Sequence, residues 1–119
     1  MKILIVDDEP ANLEVMMLAM EMEGFEVFPL NTAKNFISVA KNIAADVILL
    51  DIELDGFDGR ELCKELKITK GLSNTPVIIV SATSEMKILS SVEYGADFII
   101  NKPFDIEELT RAVKHCLAD

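Results

Sequence analysis

The sequence predicts a single α/β domain in which a parallel sheet is doubly wound by helices on both faces. Three observations point there. Short apolar runs alternate with amphipathic stretches from one end of the chain to the other. Two of those runs, Asp46–Leu50 (DVILL) and Val77–Val80 (VIIV), are unbroken large aliphatics, the pattern of strands covered on both faces. The length of 119 residues suits one compact domain, read as residues 1–119, and leaves no room for two.

The elements follow in order. Lys2–Val6 (KILIV) reads as the first strand. From Pro10 to about Glu23, Leu13, Met16, Met17 and Met20 recur at helical spacing, and Gly24 ends the stretch. The second strand, Phe25–Leu30, contains Pro29, which cannot donate to a ladder and so places this strand at an edge. Thr32 is a candidate cap for a second helix that puts Phe36, Val39, Ala40 and Ile43 on one side. After Asp46–Leu50, a third helix starts near Gly59 and carries Leu62, Cys63 and Leu66. Val77–Val80 is the fourth strand, and a fourth helix runs from about Ser84 to Tyr94, stopped by Gly95. Asp97–Ile100 is the fifth strand. Asp105 then caps a last helix with Ile106, Leu109, Val113, Cys116 and Leu117 on its inner face. Right-handed crossovers in such a (βα)5 chain put helices on both sides of the sheet.

Composition removes several function classes. Half of the residues are hydrophobic, enough for a core, while 11 basic residues face 21 acidic ones for a net charge of -10. Phosphate backbones and anionic membrane surfaces attract Lys/Arg-rich proteins, so neither nucleic acid nor membrane is an expected partner. Cys63 and Cys116 lack CxxC spacing and read first as structural thiols of a reducing compartment, with a disulfide the lesser alternative. With no signal-like segment and no bilayer-length apolar run, a cytoplasmic location is expected. His115, on the last helix, reads as solvent-facing, and the Met-rich first helix as core filler with an outer part free to meet a partner.

In an open α/β sheet, ligands bind beyond the carboxyl ends of the strands. The residues there are Asp7, Asp8 and Glu9 after the first strand, Asp51 after the third, Ser81 after the fourth and Lys102 after the fifth. An acid pair alone is ordinarily solvated surface, and a lone serine or lysine there is a cap or a surface charge. Together they converge on one edge. Two carboxylates ~4 Å apart repel by about 4 kcal/mol at a protein-surface dielectric, so the cluster calls for a cation. All-oxygen ligands suit Mg²⁺. A carboxylate can act as nucleophile toward phosphorus, with charge on the phosphoryl oxygens stabilised by a metal and by Lys102, and Ser81 bonding a product oxygen.

The segments ILIVDDEP, VILLDIELDGFDG, VIIVSA and GADFIINKPF, four motifs in order, resemble the receiver domain of bacterial two-component response regulators over essentially the whole chain. The resemblance implies a flavodoxin-like (CheY-like) sheet in the order 2-1-3-4-5. It implies phosphorylation of Asp51 by a sensor histidine kinase, a histidine phosphotransfer protein or an acyl-phosphate donor. Asp8, Asp51 and the Glu53 carbonyl would bind Mg²⁺ directly and Asp7 through water, with Glu9 an outer-shell candidate. Lys102 would pair with the phosphoryl group, Ser81 would be the switch hydroxyl, Gly59 would open the third helix and Lys102–Pro103 would be cis. The expected output is a change in the face formed by the fourth helix, fifth strand and fifth helix. That face would act on an output domain or effector, or form a phosphorylation-dependent homodimer. No enzyme activity is expected beyond Mg²⁺-dependent autophosphorylation and autodephosphorylation.

Three positions depart from the family pattern. Ile99 stands where an aromatic residue is usual, Asp55 where proline is common, and Glu53 adds an acid two residues beyond Asp51. Two other classes fit less well. A haloacid-dehalogenase-type phosphatase needs a second Asp where Glu53 stands and a longer chain. A flavin or dinucleotide binder needs a Gly-rich loop after the first strand, which this chain lacks.

Overall fold

The computed structural model describes residues 1–118. Five strands, β1 (Lys2–Val6), β2 (Glu26–Leu30), β3 (Val47–Leu50), β4 (Val77–Ser81) and β5 (Phe98–Asn101), form one parallel sheet in the spatial order β2-β1-β3-β4-β5. This is the doubly wound order expected. Helices α1 (Pro10–Met22), α2 (Phe36–Ile43), α3 (Gly59–Lys67) and α4 (Glu85–Ser90) lie in the four crossovers, and α5 (Ile106–Leu117) follows β5. A two-residue antiparallel pairing, Glu53–Leu54 with Phe57–Asp58, shapes the loop between β3 and α3.

Period-two alternation along the strands divides the core in two. Leu4, Val6, Ile48, Leu50, Val77 and Ile79 point to the side covered by Phe36 and Ala40 of α2, Leu62, Cys63 and Leu66 of α3, and Ile88 of α4. Ile3, Ile5, Val47, Leu49, Ile78 and Val80 point to the other, against Leu13, Met16 and Met20 of α1 and Leu109 and Val113 of α5. Every residue of β3 and β4 is buried, as their unbroken aliphatic runs require. β2 lies at the edge, with Pro29 exposed. Met22 is exposed, while Met16 and Met20 are core.

Asp105 is the cap the sequence predicts, and two further short side chains meet free N–H groups in the same way. Asp58 caps α3, Ser84 caps α4 and Asp105 caps α5, each accepting from the first turn. Gly24 takes a left-handed φ of 89° after α1.

Two expectations are corrected. α2 starts at Phe36, and Thr32 does not cap it: the Thr32 hydroxyl accepts from Lys34 N–H in the preceding loop, and Asn35, at φ 63°, is the N-cap residue. The fourth helix is not continuous to Tyr94. It ends at Ser90 and gives way to a 3-10 turn over Ser91–Tyr94, where the Ser90 and Ser91 hydroxyls both bond the Lys87 carbonyl. Serine hydroxyls compete in this way with the helical pattern.

Candidate functional site

The carboxyl ends of β1, β3, β4 and β5 meet at one rim, and the sequence-predicted residues arrive there on strand-end backbone. Asp7 follows β1, Asp51 follows β3, Ser81 is the last residue of β4 and Lys102 follows β5. Backbone bonds from Asp51 N–H to the Val6 carbonyl (3.2 Å) and from Lys102 N–H to the Ser81 carbonyl (2.9 Å) hold these ends side by side.

Asp51, 7 % exposed, is the centre. Its Oδ1 accepts from Ser81 Oγ at 2.6 Å and from Glu53 N–H at 3.3 Å, while Oδ2 accepts from Lys102 Nζ at 2.8 Å. Lys102 Nζ also donates to Asp7 Oδ2 at 2.7 Å, and Asp7 Oδ1 accepts from Glu9 N–H at 2.9 Å. Asp7 is fully buried beneath the rim. One ammonium thus serves two carboxylates, and no buried side-chain polar atom among the described residues lacks a partner.

Burial pushes the Asp7 carboxyl above its ordinary range, and the hydrogen bonds from Lys102 and Glu9 only partly oppose this. Burial pushes the Lys102 ammonium down, but its bonds to Asp51 and Asp7 outweigh it and leave the group above its usual value. The charged lysine is therefore a fixed feature of the cluster.

Asp8 and Glu53 stand at the exposed mouth. Asp8 Oδ2 accepts from Asp55 N–H at 2.9 Å. Glu53 Oε1 accepts from Thr83 Oγ1 at 2.7 Å and from Lys87 Nζ at 3.2 Å. The bond from Thr83, then that from Lys87, holds the Glu53 carboxyl below its usual range. Asp8, Glu9, Asp51, Glu53, Ser81 and Lys102 all line one open cleft of about 680 Å³, with Val15, Pro103, Phe104 and Ile106 as its apolar wall. The Lys102–Pro103 bond is cis, as expected. His115 is exposed and stacks edge-on against Phe98, with no place in the site.

Among the described residues, no three His, Cys, Asp or Glu side chains form a closed metal cage. Mg²⁺ does not require one, because it keeps several waters and takes one or two carboxylates. Asp8 and Asp51, oxygen-only donors lining the same open cleft, fit that requirement.

Sequence reasoning missed Thr83 and Lys87 as partners of Glu53, and Asp55 N–H as the donor to Asp8. The placement of Thr83 two residues beyond Ser81 was the only available signal.

A family model described as the response regulator receiver domain matches residues 3–114. The response regulator ArlR of Staphylococcus saprophyticus is 36% identical over 117 residues, covering 98% of this chain and 52% of that protein. The nisin biosynthesis regulatory protein NisR of Lactococcus lactis is 37% identical over 114 residues, covering 95% of this chain and 48% of its own. The DNA-binding response regulator MtrA of Mycolicibacterium smegmatis is 29% identical over 114 residues, covering 95% of this chain and 49% of its own. The chain therefore spans about half the length of the curated relatives it matches. Among solved structures, a CheY-like receiver domain from Methanospirillum hungatei superposes with a TM-score of 0.88 at 31% identity, covering 98% of this chain and 92% of that one. The receiver domain of NtrX from Brucella abortus does so at 0.87 and 29%, covering 97% of each.

Proposed function

Because the chain belongs to the response regulator receiver family of two-component signalling, we propose that it takes up a phosphoryl group on Asp51 and releases it again by hydrolysis. The observation that carries this reading is the pairing of the two Asp51 oxygens, one with the Ser81 hydroxyl and one with the Lys102 ammonium, at the floor of an open cleft. Those two donors are what a phosphoryl group on that carboxylate needs.

The chain's own residues divide the work as follows. A carboxylate oxygen of Asp51 attacks phosphorus, forming a P–O bond. The P–N bond of a phosphohistidine donor, or the P–O bond of an acyl phosphate, breaks, and the leaving group departs with the electron pair. Lys102 shifts its ammonium toward a phosphoryl oxygen while keeping its bond to Asp7. Asp7, buried and tied by Glu9 N–H, orients that ammonium. Ser81 Oγ, released from Asp51, donates to another phosphoryl oxygen. The family is generally Mg²⁺-dependent, and Asp8, Asp51 and the Glu53 carbonyl would hold the ion, with Asp7 acting through water; bound there, it neutralises phosphoryl charge. Glu53, an acid over the cleft, disfavours approach of hydroxide and so prolongs the phosphorylated state.

The donor by this reading is a sensor histidine kinase or a histidine phosphotransfer protein, whose phosphohistidine enters the cleft past Val15, Phe104 and Ile106. No turnover beyond self-modification is proposed. Relatives include DNA-binding response regulators, which supports an output through a further domain or effector reached from the face of α4, β5 and α5, or through a phosphorylation-dependent homodimer. The proposed domain comprises residues 1–119, acting in the cytoplasm.

Incubation with acetyl phosphate and Mg²⁺ is expected to add one phosphoryl mass that peptide mapping places on Asp51. Asp51→Asn is expected to abolish it. An adduct absent from the parent, or retained by Asp51→Asn, refutes the assignment.

A further inference from the structure

α4 is held by side chains at both ends, and both tethers come from the segment that follows Asp51. Toward its start, Glu53 binds Thr83 Oγ1 and Lys87 Nζ, while Glu53 N–H donates to Asp51 itself. At its end, Arg60 donates through Nη1 to Ser90 Oγ at 2.9 Å, and its guanidinium lies 5.1 Å from the centroid of the Tyr94 ring.

Arg60 is firmly placed. Its Nε and Nη2 donate to the two oxygens of Asp58 at 3.1 and 2.7 Å, a planar fork that point charges cannot reproduce. Asp58 caps α3, and the Arg60 bonds hold its carboxyl below the usual range. α3 itself is seated on the Asp51 segment, since Gly59 N–H donates to the Ile52 carbonyl at 2.8 Å. A Cβ on Gly59 would lie 1.9 Å from the Asp51 carbonyl oxygen, so helix and loop backbone are in direct contact.

The tethered segment is one that can respond. α4 has six residues, and helices this short depend on tertiary contacts for their placement. Ile88 is its only buried side chain.

We propose that α3 reads the state of Asp51 and transmits it through Arg60 to the end of α4 and the Ser91–Tyr94 turn, with the Glu53 contacts as a weaker parallel route. The inference rests on the phospho-acceptor reading of Asp51. A phosphoryl group there displaces the bonds that Glu53 N–H and Ser81 now make to the carboxylate, so the backbone of 51–53 and the loop after β4 must settle anew. Because Gly59 rests on that backbone, the start of α3 follows, and Arg60 carries the shift to Ser90 and Tyr94. The Glu53–Lys87 pair is half-exposed on both sides and contributes little. The Arg60 side chain is 17 % exposed and forked, which makes it the dominant link.

The chain has one tyrosine and no tryptophan, so tyrosine emission reports Tyr94 alone. The protein is treated with acetyl phosphate and Mg²⁺, and emission, acrylamide quenching and intact mass are followed in the same samples. In the parent, emission changes in proportion to the phosphorylated fraction. Arg60→Gln takes up the phosphoryl group but loses most of that change, and Glu53→Gln loses a smaller part. Ser90→Ala, which removes the α4 end of the contact together with the Ser90 bond to the Lys87 carbonyl, also lowers it and serves if Arg60→Gln fails to fold. The proposal is overturned by a phosphorylated parent with unaltered Tyr94 emission and quenching, or by Ser90→Ala or folded Arg60→Gln tracking phosphorylation as the parent does. A parent that forms no adduct removes the phospho-acceptor reading and this inference with it.

Discussion

Cys63 shows how one buried atom sets a pH limit for the fold. Its side chain is fully buried between α3 and the sheet, and burial pushes the thiol up from 9.0 to about 11. An unfolded chain releases that proton near 9.0 and the folded one only near 11. The folded state therefore binds the extra proton between these values, and the contribution present below pH 9 is lost as pH rises through 11. The full loss is about 2–3 kcal/mol. Denaturant midpoints measured across this window are expected to fall less steeply for Cys63→Ala than for the parent. Equal slopes would show that the thiol releases its proton over the same pH range in both states. Cys116 is only half-buried, and burial shifts it in the same direction.

At the scale of elements, the junction between β3 and α3 has the least tolerance. Gly59→Ala puts a methyl group 1.9 Å from the Asp51 carbonyl oxygen and 2.9 Å from the Ile52 α-carbon, both backbone atoms with no rotamer to yield. The variant is expected to lose about 2 kcal/mol or more, at the upper end of overpacking costs, read as a lower urea midpoint. Its phosphorylation by acetyl phosphate should slow as well, because relief of the clash moves Asp51. A midpoint within error of the parent would show that α3 shifts freely on the loop, against the close seating described above.

The elements also show what a sequence carries and what it does not. Strands β3 and β4 were legible because continuous aliphatic runs have one economical fate, burial on both faces. Asp51, Ser81 and Lys102 were legible because parallel topology brings strand ends to one rim whatever the side-chain rotamers. The break in α4 was not, since Ser90 and Ser91 keep a helical pattern in one dimension and reveal their competing hydroxyl bonds only in three. The same holds for Thr83 and Lys87, which reach Glu53 across 30 and 34 residues of chain through exposed, flexible side chains. Thr32 had the right type for a cap, and the left-handed Asn35 supplanted it by turning the chain later.

For the whole molecule, charge is the governing quantity. The net -10 repels itself, and at the cleft Asp7 and Asp51 share a single ammonium while Asp8 stands beside them at the mouth. A divalent cation that binds the folded cleft and not the unfolded chain must raise stability by mass action. Millimolar Mg²⁺ is expected to raise the melting temperature of the parent, and to do so much less for Asp8→Asn. Identical shifts in both proteins would trace the effect to general screening and not to the cleft.

Pro29 sits on the outermost strand, with the rest of the sheet on one side of it and solvent on the other. Lacking an amide proton, it interrupts the row of donors that a foreign chain would need in order to zip on and template further growth. Crowded copies of so acidic a protein are therefore discouraged from fibrillar stacking along that flank by backbone chemistry, a safeguard that persists when salt has screened their mutual repulsion.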